Sequence, residues 1–421
     1  MGSKARAAGN RVDAERTSSF QKRASHTSNT GDWTLLRLNP LTYRSSQTLN
    51  AGAWEQSKLS EIAKTHPGLD QKSTKKSRSV YRKPTMSDVA RLAGVGTMTV
   101  SRALSGSAGV TEDTARRVQK AVEQLGYRPN ELARAFRGQR TNSIGLIIPY
   151  LYDSFFANCA HAVTSVAKEH GYSVIITVSN EDPDLEFAEA ERMLQRHVDG
   201  LALIPSRFRS NRLSRSFFGK TPVVAFDRPV SDQQFDTVLV QNAAGAHKIT
   251  EHLAEHGHKR ISFMGLSREL FTINSRFLGY RRAIQDAGLQ EDSFFGCASR
   301  EETLRWLAAR LKSADAPTAL FTSNTLATRY VLSSLVAIGV KIPNDVALAG
   351  FDDFELAELT SPSLTVVRQP AQEMGRVAAN LLIDRITRGE LPQTGSRIVL
   401  PVEIVLRRSC GCKHKTPAVI H

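Results

Sequence analysis

The chain of 421 residues lacks the features of several large protein classes. Its four cysteines, Cys159, Cys297, Cys410 and Cys412, are too few for a disulfide framework in a chain of this length. No segment resembles a secretion signal or an apolar membrane span. We therefore expect a cytoplasmic protein with no membrane partner.

The motifs that commonly mark enzymes are also missing. No G-x-G-x-x-G follows the first predicted strand, and G-x-x-x-x-G-K-[ST], H-E-x-x-H, G-x-S-x-G and C-x-x-C are absent. The sequence therefore predicts neither catalysis nor a cofactor. Cys410-Gly-Cys412 could be a metal or redox pair, but no second pair or histidine cluster lies near it in sequence, so we predict no metal site. We expect His256 and His258 at a helix end before the strand RISFMG.

Acidic residues are scarce only in the N-terminal third. Residues 1–83 hold sixteen Lys or Arg against six Asp or Glu, and residues 84–142 hold nine against five. Residues 143–421 hold thirty-one against thirty, so the net charge of +15 is concentrated near the N-terminus. Such an imbalance is typical of a protein that binds an anionic polymer, because Lys and Arg replace the counterions of phosphates.

Three short helices are predicted between residues 85 and 126. Thr85 and Asp88 form a capping pattern for the first helix, which should begin near Ser87. Gly94-Val95-Gly96 separates it from a second helix, Thr97 to Leu104, and Thr111 can cap a third from Glu112 to Leu125, ended by Gly126. This arrangement indicates either a helix-turn-helix or an ordinary three-helix bundle with a solvated face.

The outward face of the second helix is polar and carries no acid. In a helix-turn-helix this helix enters the major groove of DNA. Thr97, Met98 and Arg102 are then the candidate readers of base edges, since Arg can contact guanine O6 and N7 together. Thr99 and Ser101 are more suited to phosphate.

Several motifs in fixed order resemble one family. D-V-A-x-x-A-G-V, T-V-S-R-x-L, L-G-Y-x-P-N and L-A-R-x-F follow one another, and the similarity extends from about Pro84 to Arg408. The chain resembles the lactose-repressor (LacI/GalR) family of bacterial transcriptional regulators. The resemblance implies an operator in double-stranded DNA, a small-molecule effector and a homodimer. The C-terminus shows no heptad tail of the kind that makes some members tetramers.

The resemblance also implies a hinge helix between the head and the rest of the chain. Pro129 ends one element and Asn130 can cap a short helix that contains Ala133 and Phe136. A helix this short needs a partner to form. In the family, paired hinge helices insert an apolar side chain, usually Leu, into the minor groove, and Phe136 stands at that position. The alternative is that Phe136 packs on the core domain.

From Ser143 onward, short apolar runs alternate with helical segments. Seven strands are predicted, SIGLIIP, YSVIITV, GLALIP, PVVAF, RISFMG, TALFTS and VALAGF. This βαβ pattern over roughly 265 residues favours two doubly wound lobes with a ligand cleft at the carboxyl ends of the strands. The fold class is therefore α/β, with a three-helix head and a hinge helix before a core like that of periplasmic binding proteins.

The predicted boundaries follow from these patterns. We expect a basic, mostly disordered extension over 1–83, the helix-turn-helix domain over 84–128, a hinge helix and linker over 129–142, the core over 143–408 and a tail over 409–421. The extension either adds nonspecific DNA contacts or is an over-extended start of the reading frame, and we favour the second.

The cleft candidates come from positions that match the family. Tyr152 and Phe155 could offer aromatic faces to a sugar or heterocycle, and Asp227 follows PVVAF. The resemblance gives Arg276, Asn324 and Asp352 as effector-binding residues, a polar trio suited to hydroxyl groups. Thr325 departs from the Asp common in the family. As alternatives, Asp352 caps a helix near Phe354, and Arg276 forms a surface salt bridge.

The function predicted is a sequence-specific DNA-binding regulator, a repressor whose operator affinity is switched by a small sugar or sugar acid. A sugar-binding receptor without gene regulation is the alternative. A periplasmic binding protein would need an export signal and no DNA head, and a sugar-processing enzyme would need catalytic motifs. The charge distribution and the missing motifs argue against both.

Overall fold

The computed structural model describes residues 84–105, 109–127, 140–206, 212–412 and 418–420. The N-terminal part contains three helices, α1 (Met86–Ala93), α2 (Thr97–Ser105) and α3 (Glu112–Leu125). They enclose a small apolar core whose buried members include Val89, Val100, Val118 and Ala121. The predicted helix-turn-helix head is therefore present.

Local hydrogen bonds explain where these helices begin and end. The Thr85 N–H donates to the Asp88 carboxylate at 2.9 Å, and the Thr85 hydroxyl accepts from the Asp88 N–H at 3.4 Å. Gly94 ends α1 with φ of 66°, a left-handed conformation that glycine adopts without strain. Helix α1 begins one residue before the predicted Ser87, and α3 has the predicted bounds.

The remaining elements form two lobes. The strands are β1 (Ser143–Ile148), β2 (Ser173–Val178), β3 (Gly200–Leu203), β4 (Val223–Phe226), β5 (Asp236–Val240), β6 (Ile261–Met264), β7 (Asp292–Phe294), β8 (Ala319–Thr322), β9 (Ala347–Phe351), β10 (Thr365–Arg368), β11 (Arg397–Leu400), β12 (Glu403–Leu406) and β13 (Ala418–Ile420). The helices are α4 (Ser154–Glu169), α5 (Pro183–Gln195), α6 (Arg215–Phe218), α7 (Asn242–Glu255), α8 (Phe271–Asp286), α9 (Arg300–Arg310), α10 (Thr325–Ala337), α11 (Leu356–Leu359) and α12 (Ala371–Arg388).

Each lobe is built on one sheet. The first sheet has the order β11-β5-β4-β3-β1-β2, and its neighbouring strands are all parallel. The second has the order β13-β12-β10-β9-β8-β6-β7, in which β12 is antiparallel to both β10 and β13. The seven predicted strands are β1 to β4, β6, β8 and β9, and they are confirmed. The other six strands were missed.

The chain passes between the lobes three times. It enters the second lobe after β5, returns to the first after β10 so that α12 packs on α4, and leaves it again between β11 and β12. These crossings lie at Gln241, at Gln369-Pro370 and at Pro401-Val402. Strand β11 therefore completes a sheet that begins more than 200 residues earlier in the chain. No helix in the described ranges is long and apolar enough to cross a membrane.

A glycine permits close helix packing in each lobe. A Cβ atom on Gly279 of α8 would lie 2.1 Å from the carbonyl oxygen of Ala243 on α7. A Cβ atom on Gly375 of α12 would lie 2.4 Å from the carbonyl oxygen of Cys159 on α4. Since backbone atoms cannot move aside as a flexible side chain can, a larger residue at either position must separate the two helices.

We predict that Gly279→Ala lowers the free energy of unfolding by about 2 kcal/mol or more, since overpacking of a tight contact costs roughly 1–3 kcal/mol. The measurement is urea denaturation followed by circular dichroism. The control is Gln285→Ala, an exposed position on the same helix, which should change stability by no more than about 0.5 kcal/mol. Equal stability of the two variants would contradict the packing argument.

Candidate functional site

The lobes enclose a cavity of about 210 Å³. Its walls come from residues that follow strands β1, β4, β8 and β9, together with the first turns of α4, α8 and α10. All six predicted effector residues line it: Tyr152, Phe155, Asp227, Arg276, Asn324 and Asp352. The structure therefore brings these residues together around one space. Their role in binding stays a prediction.

Two carboxylates stand at equivalent places in the two lobes. Asp227 follows β4 and Asp352 follows β9, each after a phenylalanine, and both have positive φ, 62° and 81°. A residue other than glycine held in this region costs roughly 1–3 kcal/mol. Both side chains are buried. The backbone is thus held in a costly conformation that places one acid from each lobe at the cavity.

In the second lobe, Arg276 is the centre of a buried hydrogen-bond network. Its Nε donates to Asn242 Oδ1 and its Nη1 to the carbonyl oxygen of Ser323, both at 2.8 Å. The guanidinium carbon lies 3.7 Å from the centre of the Phe351 ring, and Nη1 lies 3.8 Å from Asp352 Oδ2. Only 2% of the Arg276 surface is exposed, so the alternative of a surface salt bridge is wrong.

Asp352 binds groups from two other elements. Its Oδ2 accepts from the Thr325 N–H at 3.2 Å, and its Oδ1 accepts from the Gln369 side-chain amide at 2.5 Å. The alternative that Asp352 caps a helix near Phe354 is wrong, because the short helix α11 starts at Leu356 without a side-chain cap. The carboxylate is instead positioned by α10 and by the crossing segment after β10.

Asn324 has a structural contact in addition to its place at the cavity. Its side-chain oxygen accepts from the Ala327 N–H at 3.0 Å and caps helix α10. The oxygen is therefore already engaged in a cap, a contact that the sequence interpretation did not anticipate. Further polar contacts from this side chain can use the amide NH₂ group and the second lone pair of the oxygen.

The first lobe contributes a second buried ion-pair network. Arg228 donates to both carboxylate oxygens of Glu181, at 2.6 and 2.8 Å, and its Nε lies 3.2 Å from Asp227 Oδ2. The sequence patterns did not single out Arg228, Glu181 and Gln369. The dipeptide Asp227-Arg228 after an apolar strand was the available signal for the first of these. Gln369 had no such signal, because it follows β10, a strand that was not predicted.

The cavity carries more acid than base. Five carboxylic acids and three arginines line it: Asp153, Glu181, Asp227, Asp352 and Glu355, with Arg228, Arg276 and Arg329. Burial raises the pKa of Asp227 to about 6, although Arg228 and Arg276 oppose the rise. Burial likewise raises the pKa of Asp153 to about 6, and the charge of Asp352 adds to the effect. The site is therefore poorly suited to an additional anion.

Three buried polar atoms at the cavity have no hydrogen-bond partner in the described part of the chain. They are Asp227 Oδ1, Gln369 Oε1 and the Thr325 hydroxyl. Two of them can only accept hydrogen bonds as long as Asp227 is ionised. Since a buried polar atom without a partner is costly, a ligand that reaches these atoms with hydrogen-bond donors, once the surrounding side chains make room for it, gains binding free energy.

Aromatic side chains border the same cavity. Tyr152 is exposed over 73% of its surface and stacks on Tyr150, with ring centroids 5.0 Å apart. Phe155 and Phe156 meet edge to face at 5.3 Å, and Phe156 is the more buried of the two. Exposed ring faces at a polar cavity are suited to the C–H face of a sugar or to a planar heterocycle.

The predicted DNA-contacting residues of α2 occupy its outer face. Thr97, Met98 and Arg102 are exposed, Met98 over 67% of its surface, and Thr99 and Ser101 are partly exposed. Val100 is fully buried against the other two helices. The predicted hinge residues Asn130, Ala133 and Phe136 lie outside the described residues.

Comparison with known proteins agrees with both parts of the molecule. Residues 85–130 match the model of bacterial regulatory proteins of the lacI family, and residues 250–410 match that of periplasmic binding protein-like domains. The HTH-type transcriptional repressor PurR of Haemophilus influenzae is 31% identical over 337 residues, which cover 77% of this chain and 98% of that protein. The chain belongs to the lacI family.

Solved structures agree with this assignment. The transcriptional regulator CelR in complex with cellobiose is 30% identical, with a TM-score of 0.57, and the match covers 77% of this chain and 99% of that one. The lac repressor dimer bound to operator and an anti-inducer has 21% identity and a TM-score of 0.65, over 78% and 99% of the two chains. The second likeness shows the fold. The protein is thus a DNA-binding transcriptional regulator controlled by a small molecule, and not an enzyme.

We predict that Asp227 gives the ligand-free regulator a stability that decreases as pH rises. The folded-state pKa of about 6 lies above the ordinary value of 3.8, so ionisation from about pH 4 to above pH 6 opposes folding. The cost amounts to up to about 3 kcal/mol. Asp227→Asn should remove this contribution, because Asn does not ionise. The local backbone should be kept, since Asn also tolerates positive φ. Free energies of unfolding at pH 4.5 and 7.5 measure it.

The control for this experiment is Glu301→Gln, which changes an exposed acid on α9. It should retain the pH dependence of the unmodified protein. An Asp227→Asn variant whose stability changed with pH as much as the control would contradict the assignment.

Proposed function

We propose that this regulator is a homodimeric repressor, active in the cytoplasm, whose operator affinity is switched by a neutral sugar in the cleft. The observation that carries the choice of ligand is the set of unpaired buried atoms Asp227 Oδ1, Gln369 Oε1 and Thr325 Oγ1. Sugar hydroxyls donate hydrogen bonds to such atoms and also accept them from Arg276.

Charge favours a neutral sugar over a sugar acid. The acids that line the cavity outnumber the arginines, and both Arg276 and Arg228 already have carboxylate neighbours. A ligand carboxylate would therefore meet net repulsion and would have to compete for a guanidinium group that is already paired. A polyol meets neither difficulty.

The cavity has room for a single sugar ring. Its volume is about 210 Å³, and it adjoins a larger open cavity of about 820 Å³ that shares Phe155, Thr325, Asp352 and Gln369 with it. The aromatic side chains at the edge of the smaller cavity, among them Tyr152 and Phe155, would cover one face of a ring held there. We therefore place neutral sugars that present one ring to the smaller cavity, monosaccharides among them, first among the candidate effectors.

Switching follows from the way the lobes are joined. Asp227 belongs to the first lobe and Asp352 to the second, and Gln369, which contacts Asp352, lies where the chain returns to the first lobe. A ligand held by all three favours one relative position of the lobes. Because a ligand shifts an equilibrium only by its differential affinity for the two states, its preference for the DNA-binding state sets the direction of control.

DNA contact is assigned to the outer face of α2 and to the hinge. Thr97, Met98 and Arg102 would read bases in the major groove, and Thr99 and Ser101 would hold phosphates. Asn130, Ala133 and Phe136 would act in the minor groove of the same site, with Phe136 as the wedge. In a dimer, two such units require an operator with approximate twofold symmetry.

We predict that neutral monosaccharides bind the purified protein more tightly than the matching sugar acids. Isothermal titration calorimetry over a panel of both classes, with nucleobases as a third class, measures this. For the best ligand, Asp227→Asn and Asp352→Asn should each weaken binding about 10–100-fold, since hydrogen bonds to charged groups contribute roughly 1.5–3 kcal/mol. Asp286→Asn should bind normally. Preference for a sugar acid or a nucleobase would contradict the neutral-sugar proposal.

We predict that Arg102→Ala reduces the preference of the protein for its operator. Loss of a two-point contact to guanine should cost about 1–3 kcal/mol of discrimination at one base position. The experiment selects DNA with the unmodified protein, then measures both proteins on the selected and altered sites at one salt concentration. Arg117→Ala, on the exposed face of α3, is the control and should retain the preference.

Two results would contradict the operator assignment. If the Arg102→Ala variant and the unmodified protein discriminated equally between the selected and altered sites, Arg102 would not be a base-contacting residue. If no sequence were enriched although a sugar still bound, the protein would instead fit a sugar-binding receptor without gene regulation.

A further inference from the structure

A cluster of two thiols and one imidazole lies in the second lobe. His252 is on the third turn of α7, and Cys410 and Cys412 follow β12. One ligand atom from each, the imidazole nitrogen and the two sulfurs, lies within 4.8 Å of the others. Their exposed fractions are 7%, 1% and 9%. These three residues form the thiol–imidazole cluster.

The distances within the cluster are short. The two sulfur atoms are 3.0 Å apart, and Cys412 Sγ lies 3.0 Å from His252 Nε2. A zinc ion with its usual bond lengths would set the sulfurs about 3.7 Å apart, so the two sulfurs must move apart by roughly 0.7 Å to bind it. Small side-chain rotations of the two cysteines can supply it.

The local backbone explains why both sulfurs reach the same space. Gly411, between the cysteines, has φ of 80°, a left-handed conformation that other residues adopt at a cost. Ser409, the residue before Cys410, is held in place by its own hydroxyl. The hydroxyl donates to the Leu348 carbonyl oxygen at 2.6 Å and accepts from the Thr365 N–H at 2.8 Å. The segment is thus fixed before the first cysteine and turned sharply between the two.

A second histidine, His256, lies beside the cluster. His256 Nδ1 lies 2.7 Å from the carbonyl oxygen of His252, and the two rings lie 4.2 Å apart. His256 is exposed, whereas His252 is buried. The exposed side near His256 offers a path for an ion from solvent.

The chemistry of the donors selects the class of ion. Two sulfurs and one imidazole nitrogen suit soft or borderline cations, and within the described ranges no carboxylate belongs to the cluster that would suit calcium or magnesium. We infer that Cys410, Cys412 and His252 bind one thiophilic d¹⁰ cation, Zn²⁺ or Cu⁺. Binding replaces two S–H protons, which are released to solvent, by two sulfur–metal bonds, and no oxidation is involved.

The site is separate from the effector cavity. Asn242, at the start of α7, accepts a hydrogen bond from Arg276 of the cavity, whereas His252 lies ten residues further on, about 15 Å along the helix axis. A cation would therefore join the end of α7 to the segment after β12. Because it binds the folded lobe and not the unfolded chain in this geometry, it should raise the thermal unfolding midpoint.

The test uses the full-length protein, purified under reducing conditions and freed of metal. We expect one cation per chain, measured by titration with Zn²⁺ against a chromophoric chelator and with Cu⁺ against a copper(I) chelator, and Co²⁺ should give a thiolate charge-transfer band. Cys410→Ser, Cys412→Ser and His252→Asn should each weaken binding more than about 100-fold. Such a loss exceeds the roughly 10–100-fold loss that follows removal of a residue that contacts only a ligand and not the metal. They should also abolish the rise in unfolding midpoint.

Matched controls separate ligand loss from general damage. Cys297→Ser changes another buried thiol, and His247→Asn changes another histidine on α7. Both should bind the cation normally. In the unmodified protein all four thiols are buried, so alkylation requires local opening, and the cation should slow it more at Cys410 and Cys412 than at Cys159 and Cys297. This result does not depend on any variant folding correctly.

Two outcomes would overturn the site. The reduced protein could bind no cation of either kind, or it could bind one equally well in the cluster variants and the controls. In the first case, a Cys410–Cys412 disulfide found by mass spectrometry after mild oxidation would assign the pair to thiol redox chemistry instead. Tighter binding of Zn²⁺ or of Cu⁺ identifies the ion within the proposed class.

Discussion

The buried guanidinium of Arg276 is the group on which the cleft depends. It contacts Asn242 and Ser323, packs on Phe351 and stands 3.8 Å from Asp352. Its charge also opposes the rise in the pKa of Asp227 across the cavity. Without it, Arg228 beside Asp227 would have to balance two buried acids from different lobes, and Asp352 would lose the arginine that stands 3.8 Å from it. Burial lowers the pKa of Arg276 itself, and the charges of Asp352 and Asp227 oppose that change.

Around this charge the lobes are connected in a way that lets the cavity affect both. Helix α12 follows Gln369, the residue that hydrogen-bonds to Asp352, and then packs in the first lobe. There Arg385 pairs with Asp236 at the start of β5, at 2.8 Å. A shift at Asp352 can therefore reach the first lobe through one short segment. Such a connection is what a regulator needs if a ligand in the cleft is to change the position of a DNA-binding head.

Patterns that act over short distances allowed the sequence to predict much of the fold. The caps of α1 and α3 were readable because the interacting residues, such as Thr85 and Asp88, are three positions apart. The buried strands β1 and β3 were readable as continuous apolar runs. Strand β5 begins with Asp236, whose buried carboxylate binds Arg385 and the Ser396 N–H, 149 and 160 residues away, so its apolar run was not recognised. Strand β11 alternates between exposed and partly buried residues at the sheet edge and gave no such run.

The same distinction applies to the sites. The family resemblance supplied Arg276, Asn324 and Asp352, but not Gln369 or Arg228, whose roles depend on packing between distant elements. The thiol–imidazole cluster is the clearest case, because His252 and Cys412 are 160 residues apart in sequence. A Cys-Gly-Cys segment viewed alone has only two ligands, and a metal site needs at least a third. Helix α7, which follows the first crossing between the lobes, supplies that third ligand, His252. The same helix begins at Asn242, the hydrogen-bond partner of Arg276. A cation at one end of α7 and an effector at the other would therefore stabilise the same element, and the free energy of each binding event would include the ordering of that helix.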